Sequence, residues 1–406
     1  MAKELAVLYD NGDGDSALFV FRAGGNYFEQ AWRSVKGGLA WKNCQIAMAD
    51  VRNSGKAELC VLYNFGGGDT ALFVLPEGGS HFEQLWRSGK GTWGWEVSQF
   101  SAADVRNTGK AELCVLYNYG GDDTALFVFP AGGTNFQQAW RSGIGRWAWE
   151  KSQIVAADVR NSGKTELCAL YDHGGDDTAL FVFPAGGTNF QQAWRSGKGR
   201  WAWENSQIAS ADVRNSGKTE LCALYDHGGD DTALFVFPAG GTSFQQAWRS
   251  GKGNWRWENS KVAGAAVRNV GKAELCVLYN YGDSGTALFV FPTGGNHFEQ
   301  LWRSGKDGLA WNKTLLEAGK PMSSPSPAIH PTGPYCLQAF SEDGRFTGQL
   351  TILADSYDDA QAQANYVVAE LGGEYGFLAR GVCDPLSLPC SNSFNARIYA
   401  HYKEEK

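Results

Sequence analysis

The sequence predicts an all-β protein: a six-bladed β-propeller followed by a small α+β C-terminal domain. Three observations carry this. A 54-residue unit recurs, so that Glu-Leu-Cys-Ala-Leu-Tyr begins at Glu166 and again at Glu220, with relatives at Glu4, Glu58, Glu112 and Glu274. Each copy is followed by Ala-Leu-Phe-Val, a Gly-Gly step and a Trp-Arg-Ser, at Trp32, Trp86, Trp140, Trp194, Trp248 and Trp302. A fixed period of this size marks a repeat architecture whose units bury their cores against one another. Finally, each unit holds four short apolar or alternating runs separated by Gly-rich and Asn/Asp-rich turns, the pattern of a propeller blade.

The unit from Ser206 to Asn259 shows the elements in order. Gln207–Val213 alternates in polarity and is the first strand, and Arg214–Lys218 is a turn. Glu220–Tyr225 is apolar on both faces and reads as a buried second strand. His227–Asp231 turns the chain into Ala233–Phe237, the third strand, which Pro238 and Gly240-Gly241 stop. Phe244–Trp248 is the fourth, before the loop Gly251-Lys252-Gly253-Asn254-Trp255-Arg256-Trp257. The phase adds a closure rule. The chain starts on a second-type strand at Glu4 and ends its repeats on a lone first-type strand near Lys313–Gly319, which would complete the first blade and leave no open edge. A seventh, degenerate blade is the alternative, although residues 325–406 carry none of the landmarks.

Composition narrows the function. With 43% apolar and 19% charged residues the chain is a packed globular protein. A net charge of −7 argues against nucleic-acid or anionic-membrane partners. No apolar run approaches bilayer length, and the N-terminus, Met-Ala-Lys-Glu, has no signal-peptide core, so synthesis in the cytoplasm is expected, with export only by a non-classical route. Cys60, Cys114, Cys168, Cys222 and Cys276 share one repeat position. They lie in different blades, too far apart for disulfides, and read as small buried thiols. Cys383 and Cys390 can pair or stay free.

Candidate binding residues gather on one face, where the loop leaving the fourth strand meets the turn between strands two and three. They are the pairs Trp93/Trp95, Trp147/Trp149, Trp201/Trp203 and Trp255/Trp257, with Asp172, His173, Asp226 and His227 beside them. Aromatic faces take the C–H face of a sugar, and short fixed polar groups take its hydroxyls. The second Trp of each pair is present in all six copies, since Trp41 and Trp311 follow Leu39-Ala40 and Leu309-Ala310, and it is the one expected to pack between blades. The first is the stronger candidate for an open surface. The pairs Asp176-Asp177 and Asp230-Asp231 read as exposed turn acids.

The loop Asp212-Val213-Arg214-Asn215-Ser216-Gly217-Lys218-Thr219-Glu220 has the outline of a calcium loop, but its third position is Arg in five repeats: Arg52, Arg106, Arg160, Arg214 and Arg268. A cation there repels a divalent ion, so a salt-bridged turn with no metal is expected. No cofactor is implied. Four of the six histidines occupy two repeat positions with no nucleophile beside them, which disfavours an enzyme. Near-identical loops instead give several equivalent weak sites, the basis of avidity.

The run Ala-Asp-Val-Arg-Asn-Ser-Gly-Lys-Thr-Glu-Leu-Cys-Ala-Leu-Tyr-Asp resembles the FG-GAP/VCBS type of propeller blade. With Ala-Leu-Phe-Val-Phe, Trp-Arg-Ser and the Trp-x-Trp loop, residues 3–322 are similar to the PLL-like bacterial propeller lectins. The resemblance implies sugar sites between adjacent blades, with fucose or O-methylated sugars as ligands. Those lectins commonly have seven blades of shorter repeats. The expected function is therefore a non-enzymatic, multivalent carbohydrate-binding protein with glycans or glycoconjugates as partners. The alternative is a propeller scaffold for a protein partner.

Three segments follow: a propeller over 1–322, a Pro-rich linker over 323–334 and a small α+β domain over 335–406. All 16 Trp precede the linker. In the last segment Tyr335–Phe340, Gly348–Leu353, Phe377–Val382 and Asn395–Tyr402 read as strands. Asp355 or Ser356 caps a helix running to Leu371. A domain of this size is marginal unless it docks or forms a homo-oligomer.

Overall fold

In the computed structural model, the described residues are 4–34, 38–76, 79, 81–268, 271–282, 285–304 and 308–319, together with the backbone of four strands beyond residue 332. Blade 1 is β1 (Glu4–Gly12), β2 (Asp15–Phe21) and β3 (Phe28–Arg33). Blade 2 is β4 (Cys44–Ala49), β5 (Glu58–Gly66), β6 (Asp69–Leu75) and β7 (Glu83–Arg87). Blade 3 is β8 (Ser98–Ala103), β9 (Glu112–Asn118), β10 (Thr124–Phe129) and β11 (Gln137–Arg141). Blade 4 is β12 (Ser152–Ala157), β13 (Glu166–Asp172), β14 (Thr178–Phe183) and β15 (Gln191–Arg195). Blade 5 is β16 (Ser206–Ala211), β17 (Glu220–Asp226), β18 (Thr232–Phe237) and β19 (Gln245–Arg249). Blade 6 is β20 (Ser260–Ala265), β21 (Glu274–Asn280), β22 (Thr286–Phe291) and β23 (Glu299–Arg303).

The last strand of the array, β24 (Thr314–Gly319), pairs antiparallel with β1 from Glu4↔Gly319 to Tyr9↔Thr314. It completes blade 1 as the order β24-β1-β2-β3. The six inner strands then touch in a closed cycle, β4 to β8, β12, β16, β20, β24 and back to β4. The ring has six blades, and a seventh has no gap to fill. Strand limits in blade 5 fall within two residues of those the sequence pattern predicts.

The blades adhere through apolar surface. Each second strand is buried on both faces, as in Glu166–Leu170 of β13, and the junctions hold separate clusters such as Ala157, Val159, Leu180, Leu221 and Phe237. The thiols of Cys60, Cys114, Cys168, Cys222 and Cys276 are buried in these junctions, and burial pushes Cys114 up to about 12. On one face, backbone bonds lace neighbours together: Asp158 donates its N–H to Thr219 O at 2.7 Å, and Gly186 donates to Val105 O at 2.8 Å. Gly186 sits at φ +72 with Asn107 Cβ only 3.2 Å from where its own Cβ would lie, so a side chain there would be strained in its backbone and crowded by the neighbouring blade.

The calcium-like loop is one of these laces. Asp158 accepts the N–H groups of Ser162 at 2.6 Å and Gly163 at 2.9 Å, and Lys218 of the next blade approaches it at 3.7 Å. Arg160 takes only the second of the loop's two acids, Glu166, and leaves Asp158 to the backbone and Lys218. It pairs with the buried Glu166 at 2.7 Å and reaches Gln191 at 3.2 Å.

Residues 325–406 form a second compact unit after 1–324. Its described part is one antiparallel sheet of β25 (Gly333–Phe340), β26 (Phe346–Ala354), β27 (Tyr375–Arg380) and β28 (Arg397–Tyr399), in the order β26-β25-β27-β28. The helix expected between residues 355 and 371, and Cys383 and Cys390, lie outside the described residues.

Candidate functional site at the blade junctions

The junction of blades 3 and 4 shows how the site is built. The loop leaving β11 docks on the β9–β10 turn of its own blade: Gly145 N donates to Gly121 O at 2.9 Å, and Arg146 N and Trp147 N both donate to Asp122 O, at 3.1 and 3.0 Å. The turn accepts this because Asp122 takes a left-handed φ of +54 after Gly120 and Gly121. Thr124 Oγ1 donates to Trp147 O at 2.7 Å and fixes the loop further. The Trp-x-Trp segment is thereby held across the junction.

Its two indoles have opposite fates, reversing the expectation drawn from the sequence. Trp147 is only 7% exposed. Phe190 lies tilted by 30° against it at 5.1 Å, while Trp140, Tyr171 and Phe181 close the other sides at 5.5, 4.7 and 4.9 Å. Its Nε1 donates to Ser152 Oγ at 2.8 Å. Trp201 and Trp255, 7% and 8% exposed, repeat this packing, and Trp93 has the same neighbours in Tyr117, Phe127 and Phe136. Trp147, Trp201 and Trp255 are junction cores with no free face to stack a sugar, while Trp93, in the same packing, is half-buried. Where repeats lack the first Trp, Leu309 fills its place, buried.

The second indole is half-buried and starts a short 3₁₀ turn, Trp149–Lys151. Trp149 Nε1 donates to Leu116 O of blade 3 at 2.7 Å. Trp95, Trp203, Trp257 and Trp311 do the same to Leu62, Leu170, Leu224 and Leu278. One edge of each is anchored while part of the ring remains open to solvent.

The following blade supplies the opposite wall. Tyr171 accepts Ala148 N at 3.2 Å, and His173 stands beyond it, 5.2 Å from the Tyr171 ring and 6.1 Å from Phe181. In the repeat, the place of His173 is taken by Phe65, Tyr119, His227 and Tyr281. Phe65, Tyr119 and Tyr281 are 45%, 46% and 39% exposed. Over them lie guanidinium groups: Arg87 and Arg141 each at 4.1 Å, and Arg303 at 4.4 Å. These arginines come from the Trp-Arg-Ser strands.

A buried acid pins four of the six Trp-Arg-Ser arginines. Arg195 Nε and Nη2 donate to Asp177 at 3.1 and 2.7 Å, and Asp177 is 3% exposed. Arg87–Asp69, Arg141–Asp123 and Arg249–Asp231 repeat the fork. The arginine bonds hold these carboxyls below the usual range. Asp177 and Asp231 are thus buried, where exposed turn acids were expected. The fork uses Nε and Nη2, so Nη1 is left on the solvent side. Burial, and then Arg195 or Arg249, holds His173 and His227 below the ordinary imidazole value.

Asp172 and Asp226 do not share a crevice with the histidines that follow them. Adjacent strand residues face opposite ways, as the repeats show: Tyr63 accepts from Ala40 of the preceding loop, whereas Asn64 donates to Glu96 of the following one at 2.7 Å. Each Asp also caps its own turn, Asp172 accepting Gly174 N at 2.6 Å and Asp226 accepting Gly228 N at 2.8 Å. By this alternation His173 faces the loop that carries Trp149, Asp172 and His227 face the loop that carries Trp203, and Asp226 and Tyr281 face the loop that carries Trp257. Sequence reasoning passed over the arginines and the Phe65, Tyr119 and Tyr281 rings, although aligning the 54-residue copies puts those rings in one column with the histidines. Among the described residues no cluster of three His, Cys, Asp or Glu is placed to hold a metal ion, and no helix is long and apolar enough to cross a membrane.

No protein-family model and no curated protein sequence matches the chain. Among solved structures it is similar to a lectin of Aleuria aurantia in complex with Fucα1-6GlcNAc, at 12% identity, 76% of this chain, 97% of that one and a TM-score of 0.49. It is also similar to AofleA of Arthrobotrys oligospora (10%, 79% and 94%, 0.46) and to the lectin SapL1 in complex with α-methyl fucoside (10%, 73% and 94%, 0.44).

Proposed function

We propose that this propeller is a multivalent carbohydrate-binding protein that takes glycans into its blade-junction crevices and leaves them chemically unchanged. One observation carries the reading: in blades 2 and 3 a guanidinium locked by a buried carboxylate lies over an exposed ring, and blades 4 and 5 repeat the lock while blade 6 repeats the guanidinium over the ring, each on the side of the blade that faces a half-exposed indole. A locked guanidinium offers hydrogen-bond donors with little entropy to lose on binding. The indole and the ring supply apolar surface for C–H groups. Fucose-type and O-methylated sugars are the proposed ligand class, because they join an outward methyl to neighbouring hydroxyls and so match an apolar patch beside a donor edge. Each crevice is shallow, and avidity over the ring supplies the working affinity.

A broad glycan array followed by titration calorimetry tests this. Several equivalent sites are expected, weakened together when Trp95, Trp149, Trp203 and Trp257 are changed to Ala. Silence across the array, or binding indifferent to all four changes, sinks the proposal.

A further inference from the structure

The crevices differ in one systematic way. At one repeat position, blades 2, 3 and 6 place Phe65, Tyr119 and Tyr281 under a guanidinium, while blades 4 and 5 place His173 and His227 beside Arg195 and Arg249. The neighbouring rings are arranged alike in blades 3, 4 and 5. Tyr171 and Phe181 contact His173 at 5.2 and 6.1 Å, as Tyr225 and Phe235 contact His227 at 5.1 and 6.1 Å. Tyr117 and Phe127 contact Tyr119 at 5.1 and 6.4 Å in the same arrangement. Imidazole therefore fills a benzenoid slot with no change of scaffold. It brings what Phe65 lacks, a ring nitrogen that accepts a hydrogen bond when neutral.

We infer that His173 and His227 make a second class of sugar subsite, in which the neutral imidazole accepts a ligand hydroxyl beside Arg195 or Arg249, and that acid closes these two crevices while leaving the Phe65, Tyr119 and Tyr281 crevices open. This rests on the carbohydrate reading above. Protonation turns the acceptor into a donor and puts a cation close enough to Arg195 or Arg249 for the two charges to repel. The charged groups around His173 are Arg195 on β15, Lys151 on the facing loop, and Asp177 and Asp172 on its own hairpin. Around His227 they are Arg249, Asp231 and Asp226. Asp177 and Asp231 favour the imidazolium, but both are paired with their arginines, and burial together with the guanidinium outweighs them. Burial and the arginine keep both imidazoles neutral at neutral pH, and each gains a proton only as pH falls below the usual imidazole range.

The test uses the full chain, with methyl α-L-fucoside as probe, calorimetry at pH 7.5 and 4.5, and histidine ring spectra by NMR. At pH 7.5 the fucoside is expected to shift the His173 and His227 ring signals, and at pH 4.5 these shifts vanish while the stoichiometry drops by two. The double variant His173→Phe/His227→Phe, which copies the residue blade 2 already carries, is expected to bind with a stoichiometry independent of pH. Binding that leaves both imidazole signals unmoved, or a stoichiometry equal at the two pH values, overturns the inference and leaves carbohydrate binding standing. No heat and no shift anywhere overturns the fucose-type reading itself, and the second class of subsite with it.

Discussion

Replacing Trp201 and Trp203 by Ala, one at a time, separates the two roles that identical side chains play two residues apart. Trp201 is 7% exposed and ringed by Trp194, Tyr225, Phe235 and Phe244, at 5.6, 4.7, 4.9 and 5.0 Å. An indole that buries about 150–250 Å², valued at about 25 cal/mol per Å², loses about 3.5–6 kcal/mol when cut to Ala. Core Trp→Ala changes cost about 3–5 kcal/mol, so the two figures agree. Trp203 is half-buried and gives one hydrogen bond, to Leu170 O at 2.9 Å. Its loss should cost roughly 1–2 kcal/mol, from that bond and part of a ring face. In denaturant titrations Trp201→Ala should shift the midpoint markedly, and by heat it should melt roughly 6–10 °C lower, at about 2 °C per kcal/mol for a chain this long. Calorimetry with methyl α-L-fucoside, run well below that midpoint, should find the Trp201→Ala sites intact and one site lost in Trp203→Ala. If Trp201→Ala leaves stability within about 1 kcal/mol of the parent yet removes binding, the assignment of core and surface indoles is wrong.

Other outcomes follow from the ring itself. Gly264→Ala places a Cβ 1.6 Å from Ser210 O, a backbone atom of the neighbouring inner strand, so its cost should exceed the usual overpacking range of about 1–3 kcal/mol; a midpoint unchanged in denaturant would contradict it. Lys261 replaces the Gln found in four other inner strands and donates to Trp311 O at 2.7 Å and Thr314 O at 2.6 Å, and burial pulls its pKa down to about 8. The unfolded chain then holds the Lys261 proton more tightly between pH 8 and the ordinary lysine value, so the native protein should gain stability relative to Lys261→Gln as pH rises through that window. Parallel pH–stability curves for the two proteins would refute this. A chain ending at Lys313 lacks β24 and leaves β1 with an open edge. It should melt lower and aggregate beside a chain ending at Ser324, and identical melting of the two would deny that β24 closes the ring.

Much of the architecture was legible because it is periodic. The copies of Glu-Leu-Cys-Ala-Leu-Tyr gave the blade count, and the starting phase at Glu4 foretold the pairing of β1 with β24. The site was less legible. Trp147 and Trp149 look alike in sequence, and what sorts them is the docking of their loop on Asp122 and the 3₁₀ turn at Trp149, both of which depend on tertiary bonds. Asp177 reads as exposed in the sequence because its partner, Arg195, lies 18 residues on, on the neighbouring strand β15. The separation of Asp172 from His173 is different: strand alternation alone implies it, once Glu166–Asp172 is taken as β13.

The most direct measurement is a crystal structure of the full chain soaked with methyl α-L-fucoside. The account predicts a closed ring of six blades with sugar density at the junctions, lying between the second indole of one loop and the guanidinium-covered ring of the next blade. Density confined to the central channel, or a sugar stacked on Trp147 or Trp201 after those rings have swung out, would contradict it.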